Sequence, residues 1–412
     1  MTTFGIVFLA AVVLSTATRL WLERRHLSHV TANRERVPGD FRERITLTAH
    51  QKAADYTCAK TRLRMVSISV DAVIVLVLTF GGGLQLLHDI SATWTHLGTL
   101  RGLLLIMILT VCLTAIETPF NYYRVFSIEE RFGFNRMTPA LFFLDMVKSA
   151  LLAALFGLPL LAIVLWLMQQ AGPYWWIYVW VIWVLFNVFV VMIYPTWIAP
   201  LFNKFSPMQD PEIRERVERL LARCGFKVKG LMIMDGSRRS AHGNAYFTGF
   251  GAAKRIVFFD TLLAALEPPE VEAVLAHELG HFKLRHVMKR LIWLFLSSLA
   301  LLALLGYVIG EGWFYGGLNV RTPSMALALI LFFIVVPHFI FVLRPLVAMY
   351  SRKHEFEADA YAVDKTSSRD LVAALVKLYK DNASTLTPDP LHSAFYDSHP
   401  PALARIARLQ KA

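Results

Sequence analysis

The chain has 412 residues, of which 56% are hydrophobic and only 17% are charged, and its mean hydropathy is +0.49. An ordinary soluble protein of this length needs more polar surface, so that class is excluded. The net charge is +12, but the basic residues are spread between apolar segments, so we expect no nucleic-acid partner. Cys58, Cys112 and Cys224 are widely spaced, which argues against a disulfide framework and against a thiolate zinc site.

Seven apolar segments are long enough to cross a bilayer, which needs about 20 residues. The first begins at Phe4 with no basic residue before it, so we expect a retained helix and not a removed signal peptide. Pro195 and Pro337 interrupt the fifth and seventh segments, where a helix can bend. The predicted spans are Phe4–Leu22, Met65–Leu87, Leu103–Phe120, Val147–Met168, Tyr174–Ile198, Leu291–Ile309 and Met325–Tyr350.

The loops between these spans alternate in basic character. Residues 23–64 are rich in Arg and Lys, whereas residues 88–96 contain neither. Residues 203–290 are basic again, and residues 310–324 contain only Arg321. Because cytoplasmic loops carry the excess of Lys and Arg, this alternation predicts an outside N-terminus. It also predicts that residues 203–290 and the C-terminal region face the cytoplasm.

Asp71 and Glu117 lie within or at the edge of predicted spans. Ionisable residues rarely face lipid, so both are expected to face the bundle interior or a water-filled cavity. For Glu117, a position at the membrane interface is the alternative. They are also the only acidic residues that the predicted spans offer to a transporter or channel with a regulatory zinc site. Such a protein would still move solute across the membrane after substitution of Glu278.

Residues 203–290 have the pattern of a soluble α+β domain. An Asp-Pro pair at positions 210–211 predicts the start of a helix that ends at Gly225. Three short apolar runs predict strands, and the last two are expected to pair through a Gly-Phe-Gly turn at positions 249–251. These strands are Gly230–Asp235, Ala245–Thr248 and Arg255–Asp260.

A further helix is predicted from Pro268, and it carries His277-Glu278-Leu279-Gly280-His281. The four-residue spacing places the imidazoles of His277 and His281 on one helix face, where they can share a tetrahedral zinc ion. Glu278 lies beside that face, where it can take a proton from a water molecule at the metal. A pattern with three fixed positions also arises by chance, so the rest of the site must decide.

A catalytic zinc site needs a third protein ligand and one open position. The predicted helix at residues 351–365 contains Glu355, Glu357 and Asp359. Glu355 and Asp359 share a face at the i, i+4 spacing, whereas Glu357 points away from it. If Glu355 binds zinc, Asp359 can orient a ligand imidazole from behind the metal. The alternative is a solvated acidic turn near two basic residues.

Besides His277–His281 and Glu355–Asp359, four blocks stand out in chain order: Phe126–Asn135, Ile198–Asn203, Asn244–Phe250 and Ser398–Pro401. Together, the six blocks resemble the membrane zinc metallopeptidases that include the type I CAAX prenyl proteases. The match covers nearly the whole chain. It implies a multi-pass α-helical membrane protein whose seven transmembrane helices form a hollow bundle around a chamber. A zincin-like α+β zinc metallopeptidase domain would close the bundle on the cytoplasmic side.

This resemblance also divides the chain. Residues 1–202 would form transmembrane helices 1 to 5 with their cytoplasmic loops, and residues 203–290 would form the zinc metallopeptidase domain. Residues 291–350 would form transmembrane helices 6 and 7. Residues 351–412 would be a cytoplasmic part that completes the zinc site.

The resemblance assigns site residues by motif position. Glu355 would be the third ligand of a single Zn²⁺ ion. Asn244, Ala245 and Tyr246 would lie along the strand that holds the substrate, since an open strand edge can pair with an extended peptide. His399 would contact the substrate or the developing oxyanion, with a plain surface histidine as the alternative.

Family members cut peptides near the C-terminus, after an isoprenylated cysteine. We therefore predict a zinc metalloendopeptidase that acts on prenylated CAAX-type peptides or proteins in contact with membrane lipid, with Glu278 as general base. A short loop between the sixth and seventh spans favours a bacterial inner membrane; a eukaryotic protein would lie in the endoplasmic reticulum membrane. The alternative within this zinc class is a quality-control protease that clips membrane proteins without recognising a lipid.

Overall fold

The structure is a computed structural model that describes residues 2–228, 230–248 and 255–411. In these ranges, six helices are long and apolar enough to cross a membrane, or seven if one bent pair counts as a single span. The first group comprises α1 Thr3–Ala32, α2 Leu47–Leu78, α3 Gly83–Trp94, α4 Gly98–Tyr123, α5 Pro139–Gln170, α6 Trp175–Ile193 and α7 Ala199–Phe202.

The second predicted span differs from the structure. It was expected as one helix over Met65–Leu87, but α2 ends at Leu78 and α3 continues at an angle of 60°. Gly82 adopts a left-handed backbone with φ of 74° between the two helices. A Cβ on Gly81 would lie 2.7 Å from the carbonyl oxygen of Val77. The successive glycines therefore permit a tight turn that hydropathy alone does not reveal.

The remaining helices follow residue 207 along the chain. They are α8 Pro211–Cys224, α9 Asp260–Ala265, α10 Pro268–Lys283, α11 His286–Val308, α12 Gly312–Gly316, α13 Met325–Ile340, α14 Arg344–Lys365, α15 Ser368–Asp381, α16 Pro390–Tyr396 and α17 Ala402–Leu409. Both proline-interrupted spans change helix type near the proline. The chain is a π-helix over Tyr194–Ile198 and a 3₁₀-helix over Phe341–Leu343, where α13 passes into α14.

A cavity of ≈ 650 Å³ lies between the membrane helices. Its lining comes from α1, α2, α4, α5 and α13 and is mostly aliphatic. Arg19, Asp71, Glu117 and His338 also line it. Asp71 and Glu117 thus face the bundle interior, as expected for charges within a membrane.

A four-stranded sheet forms the soluble part together with its helices. The strands are β1 Phe205–Pro207, β2 Gly230–Met234, β3 Ala245–Thr248 and β4 Arg255–Phe259. Their order is β1-β2-β4-β3; β2 and β4 are parallel and the other pairs are antiparallel. The three predicted strands are confirmed within one residue, and the short β1 was missed. The predicted turn at 249–251 lies outside the described residues.

One apolar core joins these elements. It contains Val217 of α8, Ile256 of β4, Leu275 of α10, Leu371 of α15 and Ile406 of α17, all nearly inaccessible to solvent. The helices that follow the last membrane span therefore pack into the same core as the H-E-x-x-H helix. This shared core positions residues from distant parts of the chain around one site.

Candidate active site

Helix α10 carries the H-E-x-x-H pattern through the soluble core. Glu267 and Glu270 form a capping box at its start, and the two prolines that follow Glu267 occupy its first turn, where they remove no helical hydrogen bond. Val271 and Leu275 are fully buried, and the helix packs against α8, α14 and α15. The local sequence thus starts the helix, and tertiary packing fixes its orientation.

Gly280 sets the distance between α10 and α14. A Cβ at this position would lie 3.0 Å from the Cα of Ala358 and 3.1 Å from its carbonyl oxygen. A side chain on Gly280 would therefore push one helix backbone away from the other. Because the predicted zinc ligands lie on both helices, this close approach determines whether they can share an ion.

The structure brings His277, His281 and Glu355 together. The Nε2 atoms of the two histidines are 3.2 Å apart; Glu355 Oε2 lies 3.5 Å from His277 Nε2, and Glu355 Oε1 lies 3.3 Å from His281 Nε2. Zinc binds such atoms at about 2.0–2.2 Å, so the corners of a tetrahedral site are about 3.3–3.6 Å apart. One donor atom from each of the three residues lies within 4.8 Å of the others, close enough for the three side chains to bind one zinc ion after small adjustments. Their role as ligands stays a prediction.

Asp359 supports His277 from behind. Its Oδ1 lies 2.8 Å from His277 Nδ1, so Nδ1–H donates to the carboxylate and the lone pair is on Nε2, which also lies 3.3 Å from Arg405 Nη2. Arg405 of α17 donates to both oxygens of Asp359, from Nε and Nη2 at 2.7 Å each. All three side chains are almost completely buried. The positive charge of Arg405 thus offsets the negative charge of Asp359, the residue that orients His277.

Charges in this cluster shift the titration of His277 and Arg405. Burial and the Arg405 charge act to lower the pKa of His277, but its hydrogen bonds to Asp359 and Glu355 outweigh them and raise it above its ordinary value. Burial also acts to lower the pKa of Arg405, and the hydrogen bonds and charge of Asp359 raise it. The carboxylates of Asp359 and Glu355 therefore favour positive charge on the side chains that they contact.

Glu278 and His399 flank the three predicted ligands. Glu278 is half-buried, and among the described residues its carboxylate has no hydrogen bond or ion pair, which leaves it available to accept a proton. His399 is 64% exposed, and its Nδ1–H donates to Glu355 Oε2 at 2.7 Å. His399 is thus exposed, as the alternative of a plain surface histidine predicts, but it also contacts a predicted zinc ligand.

The predicted substrate strand corresponds to β3, at one edge of the sheet. Ala245 is buried and pairs with β4, while Asn244 is exposed just before the strand. Burial raises the pKa of the half-buried Tyr246 to about 12, so this phenol stays protonated. Within the described part of the chain, no hydrogen bond joins these three residues to the predicted zinc ligands. The outer edge of β3 is not paired with another described strand.

Comparisons with known proteins point to the same family along most of the chain. The family described as "CAAX prenyl protease N-terminal, five membrane helices" matches residues 26–204, and "Peptidase family M48" matches residues 207–412. The CAAX prenyl protease 1 homolog of Arabidopsis thaliana is 40% identical over 297 residues, 70% of this chain and 69% of that protein. The Dictyostelium discoideum homolog is 32% identical over 93% of this chain and 92% of its own length.

The crystal structure of S. mikatae Ste24p superimposes with a TM-score of 0.93 at 28% identity, and the match covers 99% of both chains. This chain belongs to peptidase family M48. The resemblance to type I CAAX prenyl proteases is thereby confirmed, as are the multi-pass membrane fold and the metallopeptidase class. Members of the family use a metal that is generally zinc.

Sequence reasoning missed Arg405, although a signal was present. In α17, Ala402, Arg405, Ile406 and Leu409 are all buried on one helix face. A charged residue on an apolar face is rarely buried without a partner. The pattern therefore predicts a buried ion pair for Arg405, but not that its partner is Asp359.

Proposed function

We propose that this chain hydrolyses peptide bonds near the C-terminus of prenylated CAAX-type proteins, with a single zinc ion held by His277, His281 and Glu355. The observation that carries this proposal is the convergence of the three side chains: the histidine Nε2 atoms are 3.2 Å apart, and each lies 3.3 to 3.5 Å from one of the two Glu355 carboxylate oxygens. The chemistry of the set supports it as well, since two imidazoles and one carboxylate leave a fourth position open for water or substrate.

Zinc in such a site lowers the pKa of water to about 7 and polarises a substrate carbonyl. Glu278 accepts the proton of the attacking water on a carboxylate oxygen and delivers it to the nitrogen of the leaving amine. Asp359 keeps the proton of His277 on Nδ1, which maintains the Nε2 lone pair toward the metal. Arg405 keeps Asp359 charged in its buried position.

His399 contacts the substrate or the oxyanion in this proposal. Because its Nδ1–H donates to the Glu355 carboxylate, its Nε2 can donate to an oxyanion only when the ring carries both protons. The high exposure of the side chain suits a residue that must reach a bound peptide. One such donor contributes about 100- to 1,000-fold to turnover in other hydrolases.

The substrate peptide would pair with the outer edge of β3, through main-chain hydrogen bonds along Asn244, Ala245 and Tyr246. The position of β3 at the sheet edge supports this role. Main-chain hydrogen bonds do not involve the side chains of the peptide, so recognition at this edge would depend little on side-chain identity.

Lipid recognition is supported by the relatives, whose names include prenyl protease, and by the aliphatic cavity between the membrane helices. Its volume, ≈ 650 Å³, lies in the range of small-molecule sites, about 300–1,000 Å³. We place the active site on the cytoplasmic side because residues 203–290 are basic. The short loop between the last two spans favours a bacterial inner membrane. The division of the chain at residues 202, 290 and 350 belongs to the same proposal.

The first experiment tests the zinc mechanism. Glu278→Gln should bind zinc as the original chain does and lose at least about 100-fold in peptidase rate, because the amide cannot accept the proton. Glu215→Gln, the same chemical change on an exposed residue of α8, is the matched control and should keep full activity. A zinc-loaded Glu278→Gln protein with undiminished activity would contradict the mechanism.

The second experiment tests the substrate class. A farnesylated C-terminal peptide and its unprenylated twin are compared with the purified protein in detergent or liposomes, with and without a chelator. The proposal requires faster cleavage of the farnesylated peptide and loss of both activities with the chelator. Equal cleavage of the two peptides would identify a protease that does not recognise lipid.

A further inference from the structure

A second group of buried imidazoles lies next to the predicted zinc ligands. His286, the first residue of α11, is 1% exposed, and its Nδ1 lies 3.0 Å from Nδ1 of His281. The other ring nitrogen of His286, Nε2, lies 2.9 Å from Oε2 of Glu357. His281, His286 and Glu357 thus form a continuous chain of hydrogen bonds that the proposed mechanism does not use.

The direction of these hydrogen bonds follows from the proton count. His281 Nε2 faces His277 and Glu355, so a metal-binding His281 must be neutral and carry its proton on Nδ1. That Nδ1–H then donates to His286 Nδ1, which must be without a proton. The single proton of a neutral His286 is therefore on Nε2, where the Glu357 carboxylate accepts it. With both rings neutral, each hydrogen bond in this series has one donor and one acceptor.

The backbone places His286 for this contact. Helix α10 ends at Lys283 and α11 begins at His286, and between them Arg285 has a left-handed backbone with φ of 56°. Non-glycine residues adopt this conformation at a cost of about 1–2 kcal/mol. The tight reversal returns the chain, so that His286 contacts a residue on the last turn of the preceding helix.

The ring of His354 packs against the face of the His286 ring. The two rings stack with centroids 4.0 Å apart and 8° between their planes, and Tyr350 contacts His354 edge-on. Two charged imidazolium rings would repel at this distance, so the stack suits a neutral His286. The stack also opposes rotation of the ring away from His281 and Glu357.

His286, His354 and Glu357 could themselves be read as a metal site, since their donor atoms lie within 4.8 Å of one another. The stacked geometry opposes that interpretation. A metal bound by imidazole lies about 2.0–2.1 Å from the nitrogen and near the ring plane. Two parallel rings stacked at 4.0 Å have no such point in common. Both nitrogens of His286 are also occupied by His281 and Glu357.

We infer that His286 and Glu357 are positioning residues that hold His281 in the tautomer and orientation that bind zinc, as Asp359 does for His277. This inference rests on the proposed zinc site, because it requires His281 to bind through Nε2. The two supports differ in length: His277 contacts its carboxylate directly, whereas His281 reaches Glu357 through the ring of His286. Removing such a partner typically weakens metal binding 10- to 100-fold.

Zinc affinity tests the inference, measured by competition with a chelator on the full-length protein in detergent. Four variants are compared with the original chain. His286→Phe keeps an aromatic ring on His354 but removes both hydrogen bonds, Glu357→Ala removes the acceptor, and Glu357→Gln keeps an amide oxygen that can accept. Glu218→Gln, on an exposed residue of α8, is the control. The visible absorption spectrum of each Co²⁺-loaded protein reports the ligand geometry.

We expect zinc affinity to fall about 10- to 100-fold in His286→Phe and about 10-fold in Glu357→Ala, with a smaller loss in Glu357→Gln. The cobalt spectrum should change in the same order, while Glu218→Gln matches the original chain. If His286→Phe fails to fold, the two Glu357 variants still decide, because this carboxylate is only partly buried.

Several results would overturn the inference. Unchanged affinity in His286→Phe and Glu357→Ala removes the positioning role. An equal loss in Glu357→Gln and Glu357→Ala assigns the effect to net charge and not to the hydrogen bond. A second equivalent of zinc that disappears in Glu357→Ala would assign these residues to a second metal site. If the original chain binds no zinc, the proposed site itself fails, an outcome distinct from the others.

Discussion

Arg405 gives the sharpest stability prediction, because it is a buried charge with a single dominant partner. Its guanidinium donates to both oxygens of Asp359 at 2.7 Å, and the two side chains are 8% and 4% exposed. Arg405→Met keeps much of the volume of the side chain and removes its charge. Asp359 then remains buried without its guanidinium partner, beside His277.

The burial of the pair determines the magnitude. Removing one partner of a buried ion pair typically costs about 3–5 kcal/mol, because the remaining charge has lost its water and its partner. Arg405→Lys retains the charge but replaces two parallel hydrogen bonds by a point contact, so we expect about 1.5–3 kcal/mol from the lost charged hydrogen bond. An exposed pair such as Arg214 and Glu218 contributes less than about 1 kcal/mol.

The assay is denaturant unfolding of the metal-free, detergent-solubilised protein, with Arg214→Met as the matched control. The loss of stability should be largest in Arg405→Met, intermediate in Arg405→Lys and smallest in Arg214→Met. Zinc affinity should also fall in Arg405→Met, because Asp359 no longer holds His277 in a fixed orientation. If Arg405→Met unfolds at the same denaturant concentration as Arg214→Met, the buried pair does not stabilise the fold and the reasoning is refuted.

Three further predictions concern the site. Gly280→Ala should destabilise the protein by about 1–3 kcal/mol and weaken zinc binding, because its Cβ would lie 3.0 Å from the Cα of Ala358; Gly157→Ala, with nothing within 4 Å, is the control and should be neutral or slightly stabilising. His399→Ala, assayed at saturating zinc because it loses a hydrogen bond to Glu355, should lose about 100- to 1,000-fold in kcat, and an unchanged kcat would restore the surface interpretation. Removal of zinc by a chelator should abolish peptidase activity and its return should restore it; activity that survives in metal-free protein would contradict the metal requirement.

The sequence predicted those features that depend on local pattern. Apolar runs predicted most of the spans, and turn residues bounded three of the four strands. The i, i+4 spacing of His277 and His281 put both on one face of a helix whose start is marked by prolines. Glu355 and Asp359 could be paired for the same reason, since each relationship involves a single helix.

Features that depend on contacts between distant segments could not be predicted in this way. The bend after α2 requires the backbone freedom of Gly82. The pairing of Arg405 with Asp359 joins α17 to α14, and no sequence spacing relates them. The contact between His281 and His286 depends on the left-handed backbone of Arg285, a residue whose type favours a helix.

Helix α14 is the element that unites the site. It presents Glu355 and Asp359 to α10 and, from the adjacent face, Glu357 to the start of α11. Each carboxylate contacts at least one histidine, and Glu355 contacts three, so a small shift of α14 would disturb all of these contacts together. The close packing of Gly280 against Ala358 resists such a shift. Because α14 continues from α13 through one 3₁₀ turn, movement of this membrane helix would be transmitted directly to the predicted zinc ligands.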